Sequence, residues 1–262
     1  MAFTENNKSG VVYMTAPNIS AKHAFTTRFG GVSEGIYESL NLGFTSGDDA
    51  EKVSENYRIL AKTLEIEPVE FAFSKQVHRD DIRVCTMEDR QGVPYTVPYE
   101  ADGLITNEKD VPLVIFTADC TPILLHDPVC GVIGAVHAGW RGSVMDIAGK
   151  AVRKMCETYG CDPKNIEAAI GPCISKCCFE TGEEVFEAVK MLLGDDAENF
   201  ADRKENGKYM IDLKGVNAYL LKKAGVLSVE ISDECTKCLC DKYWSHRATL
   251  GKRGTQCSCI ML

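Results

Sequence analysis

The stretch Thr117-Ala118-Asp119-Cys120-Thr121-Pro122-Ile123-Leu124-Leu125-His126-Asp127-Pro128-Val129-Cys130-Gly131-Val132-Ile133-Gly134-Ala135-Val136-His137-Ala138-Gly139-Trp140-Arg141-Gly142 holds two apolar runs joined by Asp-Pro-x-Cys-Gly. Such a junction is a turn signal, because Asp bonds to nearby backbone, Pro fixes φ, and Gly accepts a left-handed backbone. The stretch therefore reads as an antiparallel hairpin. Folding it about Pro128 and Val129 sets Asp127 opposite Cys130, and the same register sets Cys120 opposite His137. Directly opposed residues have Cβ atoms about 4.5–5.5 Å apart. At that separation a thiol and an imidazole can bind one metal, or act as a nucleophile and its base. A slip of one residue would send one of them to the other face.

Outward from this hairpin, strand-like and helix-like segments alternate, which points to an α/β architecture. Strands are expected at 24–28, 71–77, 82–86, 103–106, 113–117, 123–126, 132–136, 166–170 and 229–232. Several are near-continuous apolar runs, as in sheets covered on both faces. Four helices are expected. Asp48 or Asp49 caps the first, whose apolar face is Val53, Tyr57, Leu60, Ala61 and Leu64. The second runs on from Arg141-Gly142 to a stop at Gly160. The third carries Val185, Phe186, Val189, Leu192 and Leu193 before Gly194, and the fourth Val216, Leu220, Leu221 and Ala224 before Gly225. This is more strand than a simple doubly wound fold needs, so a layered sheet core flanked by helices is expected. No repeat or linker divides the chain, and residues 1–262 read as one domain.

The 262 residues carry 29 Lys and Arg against 38 Asp and Glu, a net charge of −9, and 45% are hydrophobic. An acidic, scattered charge pattern argues against a nucleic-acid partner or a polybasic membrane anchor. The apolar runs fall far short of the about 20 residues that span a bilayer. The first ten residues show no basic segment followed by an apolar core, so the cytoplasm is the expected compartment. Thirteen cysteines without a secretion signal point to reduced thiols, metal ligands or a nucleophile.

A third chemical candidate is His78, in Ser74-Lys75-Gln76-Val77-His78 at the end of an apolar run. With Cys120 and His137 it makes two imidazoles and a thiolate, a set suited to Zn²⁺, and three protein ligands leave a fourth position open. The C-terminal cysteines offer a second grouping. Cys235, Cys238 and Cys240 with Cys257 and Cys259 are similar to a structural zinc knuckle, although the closing pair is spaced unlike a ribbon. Cys173, Cys177 and Cys178 are expected to line the core or a pocket wall, with Cys173 open to redox chemistry.

Several motifs occur in a fixed order: Phe25-Thr26-Thr27-Arg28 with Gly30-Gly31-Val32-Ser33, Asn41-Leu42-Gly43, Gln76-Val77-His78, Ala101-Asp102-Gly103, Ala118-Asp119-Cys120, His137-Ala138-Gly139-Trp140-Arg141-Gly142 and Ile170-Gly171-Pro172. Together, from about residue 22 onward, they resemble the laccase-domain polyphenol oxidoreductases, a family also called purine nucleoside phosphorylases of that type or peptidoglycan editing factors. The resemblance implies a layered α/β/β/α fold similar to cysteine hydrolases of the cytotoxic-necrotizing-factor class. It implies zinc on His78, Cys120 and His137, a trio that would also accept one Cu²⁺. The implied activities are phosphorolysis of adenosine, inosine and methylthioadenosine, and deamination of adenosine. One branch looks like a hydrolase that edits peptidoglycan precursors. The usual Ser-Tyr-Arg reads Ser245-His246-Arg247 here, and the usual Thr-Gly-Arg is replaced by Gly254-Thr255-Gln256, which bears on substrate preference.

For phosphorolysis, Gly139 to Gly142 leading into a helix would offer N–H groups to phosphate, with Arg141 as a bidentate partner and Arg58 or Arg28 completing the cradle. Trp140 would stack on the purine, and Gly142, Asp102 and Gln76 would contact substrate. Asp119 or Asp102 would move a proton or hold a histidine tautomer. Purine nucleoside and phosphate are the expected partners, and the chain is expected to be a monomer or weak homo-oligomer. Without metal, Cys120 becomes a nucleophile with His137 as its base. Multicopper phenol oxidation would call for more histidines than the five present.

Overall fold

A computed structural model describes residues 2–97 and 99–262. The hairpin forms, from strands Thr121–Asp127 and Val132–Ala138, but two residues out of the expected register. Asp127 Oδ1 accepts from the N–H groups of Val129 and Cys130 at 2.9 and 3.0 Å, and Gly131 takes φ +63°. These bonds build a four-residue turn, so Val132 lies opposite Asp127 and His137 opposite Pro122. Continuing that register brings Cys120 level with Gly139, not with His137. Because the offset is even, Cys120 and His137 still point to the same face of the sheet.

This hairpin is central in a six-stranded sheet ordered Ser228–Ile231, Glu167–Ile170, Thr121–Asp127, Val132–Ala138, Gly103–Thr106 and Ile82–Val84. The first pair and the last pair run parallel, the rest antiparallel. A second, seven-stranded sheet is ordered Thr4–Lys8, Val11–Thr15, Lys22–Thr26, Gln256–Met261, Leu113–Thr117, Phe71–Ala72 and Arg90–Gln91. The two sheets pack on each other through a buried cluster that includes Leu104, Leu124, Ile133 and Ala135 from one and Phe25, Leu113, Ile115 and Ile260 from the other.

Helix α1 (Ala50–Leu64) covers the outer face of the seven-stranded sheet through Tyr57, Leu60 and Ala61 against Val114, Cys257 and Cys259. Asp49 caps it by accepting from Glu51 N–H. The hairpin leads into α2 (Trp140–Val144) and α3 (Ile147–Tyr159), where one continuous helix was expected. The break falls at Asp146, whose backbone is left-handed (φ +60°) and whose side chain caps Gly149. Gly160 ends α3 at φ +72°. Helices α4 (Glu183–Leu193) and α5 (Leu213–Lys223) follow, and a short α6 (His246–Thr249) precedes the last strand. Helices α3 and α5 cover the outer face of the six-stranded sheet, packing Ala151, Val152 and Leu221 on Ile123, Leu125 and Val136. The layer order is α/β/β/α. A small third sheet (Glu180–Thr181, Tyr209–Ile211, Ala201–Arg203) packs with α4 to one side.

Two further expectations change. The strand expected at 71–77 stops at Ala72, and the chain beyond it winds toward His78. The cysteines expected to close a C-terminal knuckle, Cys257 and Cys259, instead lie in the buried strand Gln256–Met261. Alternation puts both on the face packed against α1. Among the described residues no helix is long and apolar enough to cross a membrane.

Candidate active site

Cys120 sits at the entry to the strand Thr121–Asp127, one residue after Asp119, whose backbone is left-handed at φ +86°. For a non-glycine residue this conformation costs about 1–2 kcal/mol, and three hydrogen bonds offset it. Asp119 accepts from Thr236 Oγ1 at 2.6 Å, Ser245 Oγ at 3.0 Å and Arg247 N at 2.7 Å. His78 is also left-handed, at φ +61°. Its segment is fixed by the fully buried Asp102, which accepts from the N–H groups of Val77, His78 and Arg79 at 3.0, 3.0 and 2.9 Å. The same carboxylate accepts from His137 Nδ1 at 2.7 Å. One buried acid therefore orients both histidines and leaves His137 Nε2 to face Cys120.

His78 Nε2 lies 3.9 Å from Cys120 Sγ, and the two imidazole rings meet edge to face at 4.8 Å. A nitrogen or sulfur from each of His78, Cys120 and His137 falls within 4.8 Å of the others. Gly139 makes room for them. A Cβ there would stand 2.9 Å from His78 Cδ2, 3.3 Å from Cys120 Sγ and 3.7 Å from His137 Cε1. Burial opposes ionisation of Cys120, but the charge of His137 and hydrogen bonds from both histidines outweigh it and bring the thiol down to about 6. Burial likewise opposes the charge on His137, and Cys120 and Asp102 outweigh it and raise the imidazole to about 9. Burial opposes the charge of Asp102 too, and the bonds from His137, Arg79 and Val77 hold its carboxyl below the usual range.

The trio borders a cavity of about 390 Å³, within the size range of small-molecule sites. Tyr95 and Phe116, nearly parallel at 8° and 6.2 Å apart, form its aromatic wall, backed by Phe73 at 3.9 Å from Tyr95. Three buried polar atoms that face no protein partner belong to its lining residues: Ser74 Oγ, Thr117 Oγ1 and Arg253 Nε. Buried polar groups are rarely left unpaired, and these three have no partner within the protein.

Of the residues singled out in the sequence, His78, Cys120, His137 and Gln76 line this cavity. Gln76 has its amide committed, donating to Phe116 O at 2.8 Å and accepting from Phe116 N at 2.6 Å. Asp102 and Asp119 stand behind the trio as acceptors. Arg28, Arg58, Trp140, Arg141 and Gly142 lie outside the lining. Arg28 donates to the carbonyls of Glu38 and Cys240 and packs over Trp244 at 4.0 Å. Arg58 pairs with Glu55 at 2.9 Å on the exposed side of α1. Arg141 is exposed and packs over Trp140 at 4.3 Å, while Trp140 joins the α4 cluster. Gly142 is buried where a Cβ would meet Arg79 O at 3.0 Å. Helix α2 has only five residues, and Trp140, Arg141 and Gly142 in its first turn lie outside the lining. Ser74, Tyr95, Phe116, Thr117 and Arg253 escaped the sequence reading.

Fold and pocket together define a layered α/β protein with a Cys/His trio that could hold a metal beside an aromatic cleft. Residues 22–262 match the family described as multi-copper polyphenol oxidoreductase laccase, and the chain belongs to that family. It is 35% identical over 241 residues to purine nucleoside phosphorylase YlmD of Bacillus subtilis, covering 90% of this chain and 86% of that protein. It is 39% identical over 255 residues to the purine nucleoside phosphorylase of Bacteroides thetaiotaomicron, covering 94% and 92%. The structure of YlmD from Geobacillus stearothermophilus superposes with a TM-score of 0.93 at 33% identity, covering 99% of this chain and 98% of that one.

Membership in this family suggests a metal, and the trio fits one. With Nδ1 bound to Asp102, His137 turns Nε2 toward Cys120, the thiol is easily ionised, and Gly139 leaves the space that a side chain would fill. Among the described residues, His23, His126 and His246 belong to no metal-competent group.

Proposed function

We propose that the chain is a purine nucleoside phosphorylase acting on adenosine, inosine and methylthioadenosine in the cytoplasm, with zinc on His78, Cys120 and His137 and adenosine deamination as a second activity. The observation that carries this reading is the junction of that trio with an aromatic wall and the polar residues Ser74, Thr117 and Arg253 in one cavity. The relatives named purine nucleoside phosphorylase support it. The donor set favours a single zinc ion over several coppers. When bound, the metal supplies a Lewis-acidic centre.

In this reading the purine lies against Tyr95 and Phe116, as a flat ring prefers an aromatic face. Arg253, Thr117 and Ser74 engage phosphate and ribose oxygens, and the guanidinium offsets phosphate charge. In the reaction a phosphate oxygen bonds to C1′ of the ribose, while the C1′–N9 pair leaves with the base, which takes up a proton. Asp102 keeps His137 in one tautomer throughout. Adenosine turnover followed by chromatography tests the proposal. Adenine formed only with phosphate is expected, and inosine formed without phosphate marks the deaminase activity. Neither product from zinc-loaded protein refutes it.

One observation favours a second reading. Without metal, the lowered Cys120 and raised His137 make a thiolate–imidazolium pair with Asp102 as its third member, the arrangement of a cysteine hydrolase. Its substrate would be a peptidoglycan precursor. Iodoacetamide separates the two. A zinc-bound Cys120 is protected until a chelator is added, and a free nucleophile is alkylated at once.

A further inference from the structure

Outside the pocket, four cysteines from two distant segments converge. Cys238 Sγ lies 3.7 Å from Cys177 Sγ and 3.4 Å from Cys178 Sγ. With Cys235, the four sulfurs all fall within 4.8 Å of one another. A zinc ion with Zn–S bonds of about 2.3 Å holds its sulfurs about 3.8 Å apart, so this cluster needs only small shifts to become a tetrahedron. None of the four is in a disulfide, and the separations are far beyond a bond of about 2.0 Å. Nor does ordinary packing explain them. Free cysteines favour the interior, yet Cys177 and Cys238 are exposed, Cys178 is half-buried and only Cys235 is buried. The backbone supports the cluster as in a metal knuckle. Ser175 N–H points at Cys235 Sγ at 3.4 Å, and the N–H groups of Lys237 and Cys238 donate to the same sulfur.

We propose that Cys177, Cys178, Cys235 and Cys238 form a structural zinc site with four thiolate ligands. It replaces the C-terminal grouping expected from spacing. Cys235 and Cys238 keep their place, but their partners come from the loop after Ile174. With four protein ligands the site has no open position and acts as a clasp. On binding, the thiols lose their protons to solvent. The clasp would tie the loop around Cys173 to the turn around Thr236, which already meet through an isolated parallel β-bridge between the backbones of Cys173 and Cys235, with Thr236 N donating to Cys173 O at 3.1 Å. Both segments hold Asp119, whose carboxylate accepts from Thr236 Oγ1 and whose carbonyl accepts from Ile174 N at 3.0 Å. The proposal does not rest on the reading of the pocket.

Metal analysis of the full chain with the Cys120→Ala substitution tests it. This variant, with the pocket trio broken, is expected to keep about one zinc per chain. Replacing that zinc with cobalt(II) should give the strong charge-transfer and visible bands of a tetrahedral tetrathiolate centre. Cys177→Ser with Cys238→Ser, in the otherwise unaltered chain, should lose one equivalent of metal and those bands. Should the double variant fail to fold, the Cys120→Ala spectrum still decides. A Cys120→Ala protein that binds no zinc, or whose cobalt form lacks the four-sulfur spectrum, overturns the proposal. So does alkylation of the four thiols at equal rates with and without a chelator.

Discussion

Asp102→Asn tests whether one buried carboxylate organises the candidate active site. The substitution keeps the side chain's size, so it opens no cavity. Oδ1 of Asp102 accepts from His78 N and His137 Nδ1, and Oδ2 accepts from Val77 N and Arg79 N. An asparagine has one accepting oxygen, so two of these bonds are lost in either orientation. With the amide nitrogen in the Oδ2 position, the Val77 and Arg79 N–H groups face a donor. In the other orientation His137 must accept at Nδ1, and its proton moves to Nε2, where it blocks metal binding. Hydrogen bonds to a charged group are worth about 1.5–3 kcal/mol each, so the loss is about 3–6 kcal/mol. That is a large part of the about 5–15 kcal/mol of a typical domain. Metal affinity should also fall about 10–100-fold, as when the partner of a ligating histidine is removed. Urea unfolding and competition with a chromophoric chelator read the two effects. A variant within about 1 kcal/mol of the parent in stability and within about twofold in metal affinity would refute the reasoning.

Three further outcomes are expected. In chelator-treated protein, the rate of Cys120 alkylation should rise with pH through a midpoint of about 6, because the thiolate reacts and its folded pKa lies below the free-cysteine value of about 8.5. A midpoint near the free value, read from pH-dependent labelling and mass spectrometry, would remove the thiolate–imidazolium pair. Arg253→Lys keeps the charge but loses the planar fork, so the KM for phosphate should rise about tenfold with a smaller change in kcat; an unchanged KM would place phosphate elsewhere. Gly139 has φ −65°, which any residue adopts, so Gly139→Ala acts only through the contact of its Cβ with His78 and Cys120. Metal affinity should fall about tenfold with little change in melting temperature, and full retention of metal would show that the trio needs no such space.

The Cys120–His137 pairing was legible because it is local. One turn signal and the two-residue period of a strand brought both residues to the same face, and an even error in register left that result intact. The single helix expected after Gly142 failed at Asp146, since a left-handed residue followed by its own cap ends one helix and starts another within the apolar period. His78 was legible only through its motif, because an irregular left-handed segment presents it. The cavity wall was not legible at all. Ser74, Tyr95, Phe116 with Thr117, and Arg253 come from four separate segments, and only the tertiary fold brings them together around the cavity.

The same limit misplaced the cysteines. Nearness in sequence joined Cys235 and Cys238 to Cys257 and Cys259, whereas strand alternation puts that second pair in the core and a distant loop supplies Cys177 and Cys178. Two buried acids then divide the work of the candidate site. Asp102 sets His78 and His137 through the neighbouring backbone and one imidazole. Asp119 sets Cys120 through Thr236, Ser245 and Arg247. Only the second acid leans on the segments that the cysteine clasp would join. Loosening the clasp should therefore displace Cys120 while the His137–Asp102 hydrogen bond survives, so the thiolate end of the trio would respond to loss of the structural zinc before the imidazole end does.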